Sequence, residues 1–145
     1  MIILDTNVIS ELIRPVPSGA VIQWVAAQPP LLLYTTSITQ AEMLYGMEIL
    51  TKGKKKRVLE AALSEMFEQD FRDRVLAFDS GCAKFFAEIA GARKTLGRPM
   101  SQLDAQIAAI ARNRKALLAT RNISDFADCG LKLVNPWASE TAGRE

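Results

Sequence analysis

With 145 residues, 49% of them hydrophobic and 23% charged, the chain has the size and composition of one globular domain, long enough to bury roughly 70% of its unfolded surface. Its 18 basic and 16 acidic residues leave a net charge of +2, so no strongly basic surface announces a nucleic-acid binder and local charge has to carry that argument. Histidine is absent, which excludes a Ser-His or Cys-His pair, a histidine base and every His-containing metal site.

Ile2-Ile3-Leu4 is short, continuous and apolar, as a strand buried on both faces must be, and Asp5-Thr6-Asn7 then supplies cap chemistry for a helix through Leu12. Pro15 and Pro17 end that helix. A second helix is expected from Ser18 to Ala27, followed after Pro29-Pro30 by a buried strand from Leu31 to Thr35. Thr39 begins a helix reaching about Leu50. Beyond the break at Lys52-Gly53-Lys54, a long helix spaces Leu59, Leu63, Met66 and Phe67 at helical intervals. Val75 to Phe78 reads as a third strand, Ser80 to Leu96 as a helix stopped by Gly97 and Pro99, and Ser101 to Arg114 as another helix. Ala116 to Thr120 is a fourth strand, Asp125-Phe126 a short turn or helix, and Leu131 to Val134 a final strand. Strands alternating with helices predict an α/β domain over residues 1–137, with a mainly parallel central sheet flanked by helices on both faces. Residues 138–145 are expected to be a frayed tail. In such folds ligands bind beyond the carboxyl ends of the strands, where Asp5 and Thr120 fall.

No apolar run approaches the ~18 residues of a membrane span, and the start lacks a basic stretch followed by an apolar block. A cytoplasmic protein without membrane contact is therefore expected. Cys82 and Cys129 form neither a CxxC pair nor a disulfide-dense pattern, so buried, reduced thiols are expected. There is no GxSxG, SxxK or GxxxxGK[ST] pattern to support acyl transfer or a phosphate loop.

The acids remain. Asp5 follows an apolar strand and can serve either as a helix cap or as a carboxylate in the crevice. Glu42 falls on a helical wheel between Ile38 and Ile49 on one side and Gly46 on the other, in apolar surroundings. Thr39-x-x-Glu42 also has capping-box spacing, which would turn the carboxylate toward the helix start. Asp104 repeats that spacing with Ser101 and lies beside Ala108 and Ala111, at the border of a Leu103, Ile107, Ile110 stripe. Each is adequately explained as a cap, yet all three occupy strand-end or first-turn positions that can converge. If they do, two carboxylates ~4 Å apart repel by roughly 4 kcal/mol at an effective dielectric of 20, and a cation offsets that. Oxygen donors without His or Cys favour Mg²⁺ or Mn²⁺. Such an ion, with a free carboxylate as proton acceptor, suits phosphodiester hydrolysis. Two basic runs, Lys52, Lys54, Lys55, Lys56 and Arg57, then Arg112, Arg114, Lys115 and Arg121, follow the Glu42 and Asp104 helices and can meet phosphates, although such runs are usually solvated faces.

Taken in order, Ile3-Leu4-Asp5-Thr6-Asn7-Val8, Thr39-x-Ala41-Glu42-x-x-x-Gly46, Asp104-x-x-Ile107-Ala108-Ala109, Ala119-Thr120-Arg121-Asn122 and Asn135-Pro136-Trp137 resemble the PIN-domain ribonucleases. Within that family the chain is similar to the toxin halves of bacterial VapBC and FitAB toxin-antitoxin pairs. The resemblance covers nearly the whole chain. It implies a parallel sheet flanked by helices, an Mg²⁺ or Mn²⁺ site from the acids matching Asp5, Glu42 and Asp104, and endonucleolytic cleavage of RNA, tRNA included. It also implies a homodimer and an antitoxin whose C-terminal segment crosses and inhibits the groove, with DNA contacted only through that antitoxin. Family members commonly carry a fourth acid where this chain has Asn122, an amide that can coordinate weakly but cannot accept a proton; Asp125 is the candidate substitute. Thr6, Asn7 and Thr120 match polar positions around the acids and are assigned hydrogen bonding rather than catalysis. Lys54, Lys55, Lys56, Arg57 and Arg121 are assigned to RNA. Two alternatives stand beside the nuclease: a catalytically weak PIN-fold binding module acting in regulation with an antitoxin, and a hydrolase of small phosphate esters.

Overall fold

The computed structural model describes residues 1–138; residues 139–145 of the expected frayed tail lie outside the described residues. In chain order the elements are β1 (Ile2–Leu4), α1 (Thr6–Leu12), α2 (Gly19–Ala26), β2 (Leu33–Thr36), α3 (Ser37–Glu48), α4 (Lys54–Glu65), β3 (Val75–Leu76), α5 (Ser80–Thr95), α6 (Gln102–Arg114), β4 (Leu117–Ala119) and β5 (Lys132–Val134). Short 3₁₀ turns occupy Pro30–Leu32 and Ile123–Phe126, and a π-helical turn, Met66–Asp70, extends α4.

All strands run parallel in one five-stranded sheet of order β3-β2-β1-β4-β5. Side chains alternate across the pleat, and the apolar run of β1 is divided between two layers. Ile3 and, from β4, Leu118 face a core built with Cys82 and Ile89 of α5 and Ile107 and Ile110 of α6. Ile2, Leu4 and Ala119 face the opposite core, made with Val8 and Ile9 of α1, Val21 of α2, Met43 of α3 and Leu63 of α4. The architecture is thus the expected α/β sandwich. Both cysteines are free and buried, and among the described residues no helix is long and apolar enough to cross a membrane.

Because β1 lies at the centre, the chain leaves it on one side to build β2 and β3 and returns on the other to build β4 and β5. A crevice opens where the direction of winding changes, at the carboxyl ends of β1 and β4. Register brings Leu4 opposite Ala119, and the Asp5 N–H donates to the Ala119 carbonyl at 2.9 Å. Asp5 and Thr120 therefore leave neighbouring strands side by side.

Three sequence expectations shift. The strand expected at Leu31 begins only at Leu33, since Pro30, with its fixed φ, opens a 3₁₀ turn that leaves Leu31 74% exposed. The strand expected over Val75 to Phe78 is confined to Val75–Leu76. Helix α3 starts before Thr39: the cap is Thr36, whose hydroxyl accepts the Thr39 N–H at 3.0 Å. Thr39 is thus inside the helix and Glu42 in its second turn, so no Thr39–Glu42 capping box forms.

Two substitutions probe this frame. Leu118→Ala, at a fully buried β4 position, is expected to cost about 2–5 kcal/mol in urea unfolding. Thr36→Ala is expected to cost about 0.5–2 kcal/mol by the same measurement; an unchanged stability would contradict the assigned cap.

Candidate metal centre

Asp5 is 4% exposed and caps α1. Its Oδ1 accepts the Thr6 N–H at 2.8 Å. Its Oδ2 accepts the Thr120 hydroxyl at 2.8 Å and the Asn7 amide at 3.4 Å. Asn7 is held in turn: its amide also reaches the Thr120 hydroxyl oxygen at 3.3 Å, and its carbonyl oxygen accepts the Arg121 N–H at 3.2 Å. The Asn122 N–H closes the set on the Thr120 hydroxyl oxygen at 3.1 Å. The cap role and the crevice role thus fall on one carboxylate, whose two oxygens face different partners.

Glu42 reaches the same place from α3. Its Oε1 accepts the Thr6 hydroxyl at 3.0 Å, while that hydroxyl lies 2.9 Å from the hydroxyl of the fully buried Thr39. The apolar flank is only partly as expected, because Ile38 packs against the core whereas Ile49 is 66% exposed. Asp104 stands in the first turn of α6, where its N–H is capped by the Ser101 hydroxyl at 3.1 Å. Of the adjoining stripe, Ile107 and Ile110 are buried but Leu103 is exposed. Ala108, one turn on, is fully buried and keeps the helix close to the sheet.

Asp5, Glu42 and Asp104 line one cleft of about 300 Å³ together with Thr6, Asn7, Ser10, Met43 and Asn122. Burial is the largest cause that pushes the Asp5 carboxyl up to about 6; the Thr120 and Thr6 hydrogen bonds oppose it, and the charges of Asp104 and Glu42 add to it. Burial, then the charge of Asp104, raises Glu42 against the bond from Thr6. Asp104 is raised chiefly by burial and further by Asp125, with the Ser101 bond and the Arg93 charge opposing. Like charges thus confront each other across a half-dry cleft. Among the described residues no three or more Asp, Glu, Cys or His side chains are grouped closely enough to hold a metal ion by themselves. The donor set is nonetheless all oxygen, and Mg²⁺ usually keeps several waters and takes only one or two carboxylates directly. An open, acid-lined cleft fits that habit.

The remaining site residues divide. Asn122 lines the cleft, whereas Asp125 is exposed on the 3₁₀ turn and reaches Asp104 through its charge. Arg121 stacks over the Trp137 ring at 5.0 Å, beside the Asn7 carbonyl that receives its N–H. Lys54, Lys55 and Lys56 line a separate hollow of about 350 Å³ with Lys52 and Gly53, and Arg57 follows them on α4. Lys56 is committed locally, to the Glu48 carbonyl at 3.4 Å and the Glu60 carboxylate at 3.7 Å. Sequence reasoning missed Ser10 and the bridge by which Thr39 reaches Glu42 through Thr6, although both had a signal. Ser10 is one turn from Thr6, and Thr39 one turn from Glu42, so each pair shares a helix face. It also missed Arg93, buried at the end of α5, whose guanidinium donates to the Asp125 and Ala127 carbonyls at 2.8 and 3.0 Å and so fastens the turn after β4.

Comparison with known proteins places this geometry in company. Residues 2–129 match the family model described as PIN domain. The chain is 37% identical to the VapC ribonuclease Y4jK of Sinorhizobium fredii, over 94% of this chain and 98% of that protein. It is 38% identical to the toxin FitB of Neisseria gonorrhoeae, over 94% of this chain and 99% of that one. The solved structure of FitAB bound to an IR36 DNA fragment superposes with a TM-score of 0.88 at 38% identity, covering 94% of this chain and 96% of that one.

The raised Asp5 carboxyl has a consequence for stability. Between pH 3.8 and about 6 the folded protein holds a proton there that the unfolded chain has lost. The associated stability is fully present below pH 3.8 and is lost as the pH rises through about 6. In chelator, the stability difference between wild type and Asp5→Asn is expected to move against the wild type by about 2 kcal/mol from pH 4 to pH 7. Urea unfolding across that range measures it, and a flat difference would refute the cause assigned here.

Proposed function

Since the chain belongs to the PIN-domain family, within its VapC/FitB-like toxins, we propose that it is the endoribonuclease toxin of a type II toxin-antitoxin pair. What supports this most is a single observation: Asp5, Glu42 and Asp104, from three distant parts of the chain, share one cleft at the carboxyl ends of the strands.

Asp5, Glu42 and Asp104 would hold a Mg²⁺ or Mn²⁺ ion, with the Asn122 amide oxygen as a weaker donor. Bound there, the ion supplies charge neutralisation at the scissile phosphate and favours deprotonation of water. The chain's own groups do the rest. Thr120 and the Thr6 N–H keep Asp5 oriented, and Thr6 keeps Glu42 oriented. A carboxylate whose proton affinity is raised by burial is suited to accept the proton of the attacking water as the phosphodiester bond breaks. Asp125 acts on Asp104 by charge from outside the cleft lining. Lys54, Lys55, Lys56, Arg57 and Arg121 supply cations for RNA phosphates, with tRNA within the substrate class.

A cognate antitoxin would cover the cleft, bring the pair to DNA, and act on a homodimer of this chain in the cytoplasm. FitB, as FitAB, is found on a DNA fragment in the solved relative. One observation favours a second reading: Asn122 lines the cleft at the position where the family resemblance implies an acid, and an amide accepts no proton. On that reading the chain is a catalytically weak binding module that works with its antitoxin in regulation.

Antitoxin-free protein is to be incubated with total RNA in Mg²⁺ or Mn²⁺, with chelator and Asp5→Asn controls, and new RNA ends mapped. Metal-dependent cuts are expected, reduced about 100-fold or more in Asp5→Asn, since even partners behind metal ligands cost 10–100-fold. Absence of cuts from folded protein with either metal would reject the nuclease and leave the binding module.

A further inference from the structure

The hydroxyl of Thr39 has no local duty. Thr36 caps α3 by accepting the Thr39 N–H, which leaves the Thr39 side chain free of the cap role its spacing suggests. That side chain is fully buried, in a place where an apolar group of the same shape would meet no solvent. Its hydroxyl instead lies 2.9 Å from the Thr6 hydroxyl.

The direction of this contact follows from counting protons. A threonine hydroxyl carries one hydrogen. Thr6 gives its hydrogen to Glu42 Oε1 at 3.0 Å, so toward Thr6 the donor must be Thr39. The chain of donation runs from Thr39 to Thr6 to Glu42, from a buried end to a carboxylate in the cleft. Hydrogen bonds in such a chain polarise one another, and a low dielectric strengthens the effect. Meanwhile the backbone N–H of Thr6 is spent on Asp5 Oδ1 at 2.8 Å. Thr6 thus bridges two acids, and the rotamer of its hydroxyl decides whether Glu42 is held. With Thr39 present, the lone pairs of Thr6 have a donor and its hydrogen points at Glu42. Without Thr39, nothing on that side fixes the rotor.

We propose that Thr39 is a positioning residue of the acidic cleft, fixing the Thr6 hydroxyl so that Glu42 is oriented toward a divalent cation. This rests on the metal-dependent reading of the cleft given above. Thr39 touches neither cation nor RNA; its effect is transmitted entirely through Thr6.

The test compares full-length wild type, Thr39→Val and Thr39→Ser for Mn²⁺ binding by titration calorimetry, with kcat and KM for RNA cleavage and urea unfolding measured in parallel. Thr39→Val keeps shape and removes the hydroxyl; Thr39→Ser keeps the hydroxyl. Thr39→Val is expected to weaken Mn²⁺ binding about 10-fold and lower kcat with KM unchanged, whereas Thr39→Ser restores both. In a Glu42→Gln background the loss from Thr39→Val should largely vanish, because the carboxylate it orients is gone. Should Thr39→Val fail to fold, Thr39→Ala removes the same hydroxyl without placing a methyl against Thr6 and is read in the same way. Thr39→Val that binds Mn²⁺ and cleaves like wild type overturns the proposal. So does a loss that persists undiminished in Glu42→Gln, or one that Thr39→Ser shares. Wild type that neither binds Mn²⁺ nor cleaves RNA is a separate result, which rejects the metal-dependent reading and the proposal with it.

Discussion

Parallel pairing of β1 with β4 is the constraint on which the cleft depends. Ile2, Ile3 and Leu4 stand opposite Leu117, Leu118 and Ala119, so the residues that follow, Asp5 and Thr120, emerge together. Both strands are apolar because both faces of the sheet are covered, and only where they end can polar side chains reach solvent. A shift of one residue in that pairing would exchange the two faces and turn Ile3 and Leu118 away from the helices that cover them. The pairing that builds the core therefore also sets Asp5 beside the Thr120 hydroxyl that its Oδ2 accepts.

Around that point the local structure is consistent and the electrostatics are not. Caps, small residues on α6 and the two packed layers all favour the fold, while three acids are brought into mutual repulsion with part of their hydration removed. Such a conflict between stability and local arrangement is the usual mark of a functional site. Here the chain tempers it mainly with hydroxyls and backbone N–H groups: Thr120 and Thr6 act on Asp5, Thr6 on Glu42, and on Asp104 Ser101 together with the charge of Arg93. Neutral donors orient a carboxylate without cancelling its charge, which leaves that charge available to a ligand.

Arg93 shows how far from the cleft its support extends. The guanidinium is buried and bonds the carbonyls of Arg98, Asp125 and Ala127, so α5 and the turn after β4 are fastened together. That turn follows Asn122, and Asp125 within it acts on Asp104. A buried cation satisfied by carbonyls thus fixes where the last strand crossing begins, and its field opposes the repulsion that Asp104 feels.

The sequence alone determined the order and type of the elements, because apolar runs, helical spacing and Pro or Gly stops are local and strong, as in Ile2–Leu4, Leu59–Leu63–Met66 and Gly97–Pro99. It also singled out Asp5, Glu42 and Asp104, since histidine is absent and each was expected at a strand end or in a first helical turn, and all three line one cleft. It misplaced the start of α3 because Thr36 and Thr39 are both good caps, and the choice falls to the residue whose backbone is extended at the end of β2. It extended β2 through Leu31 and Leu32 because apolarity by itself does not distinguish a strand from a turn beside proline. Convergence was a matter for the tertiary structure: Thr6 and Glu42 are 36 residues apart, Asp5 and Thr120 are 115 apart, and only the crossing of the sheet brings them within hydrogen-bond reach. Local pattern fixes which face a side chain takes, whereas the partner on that face is fixed by how the layers pack.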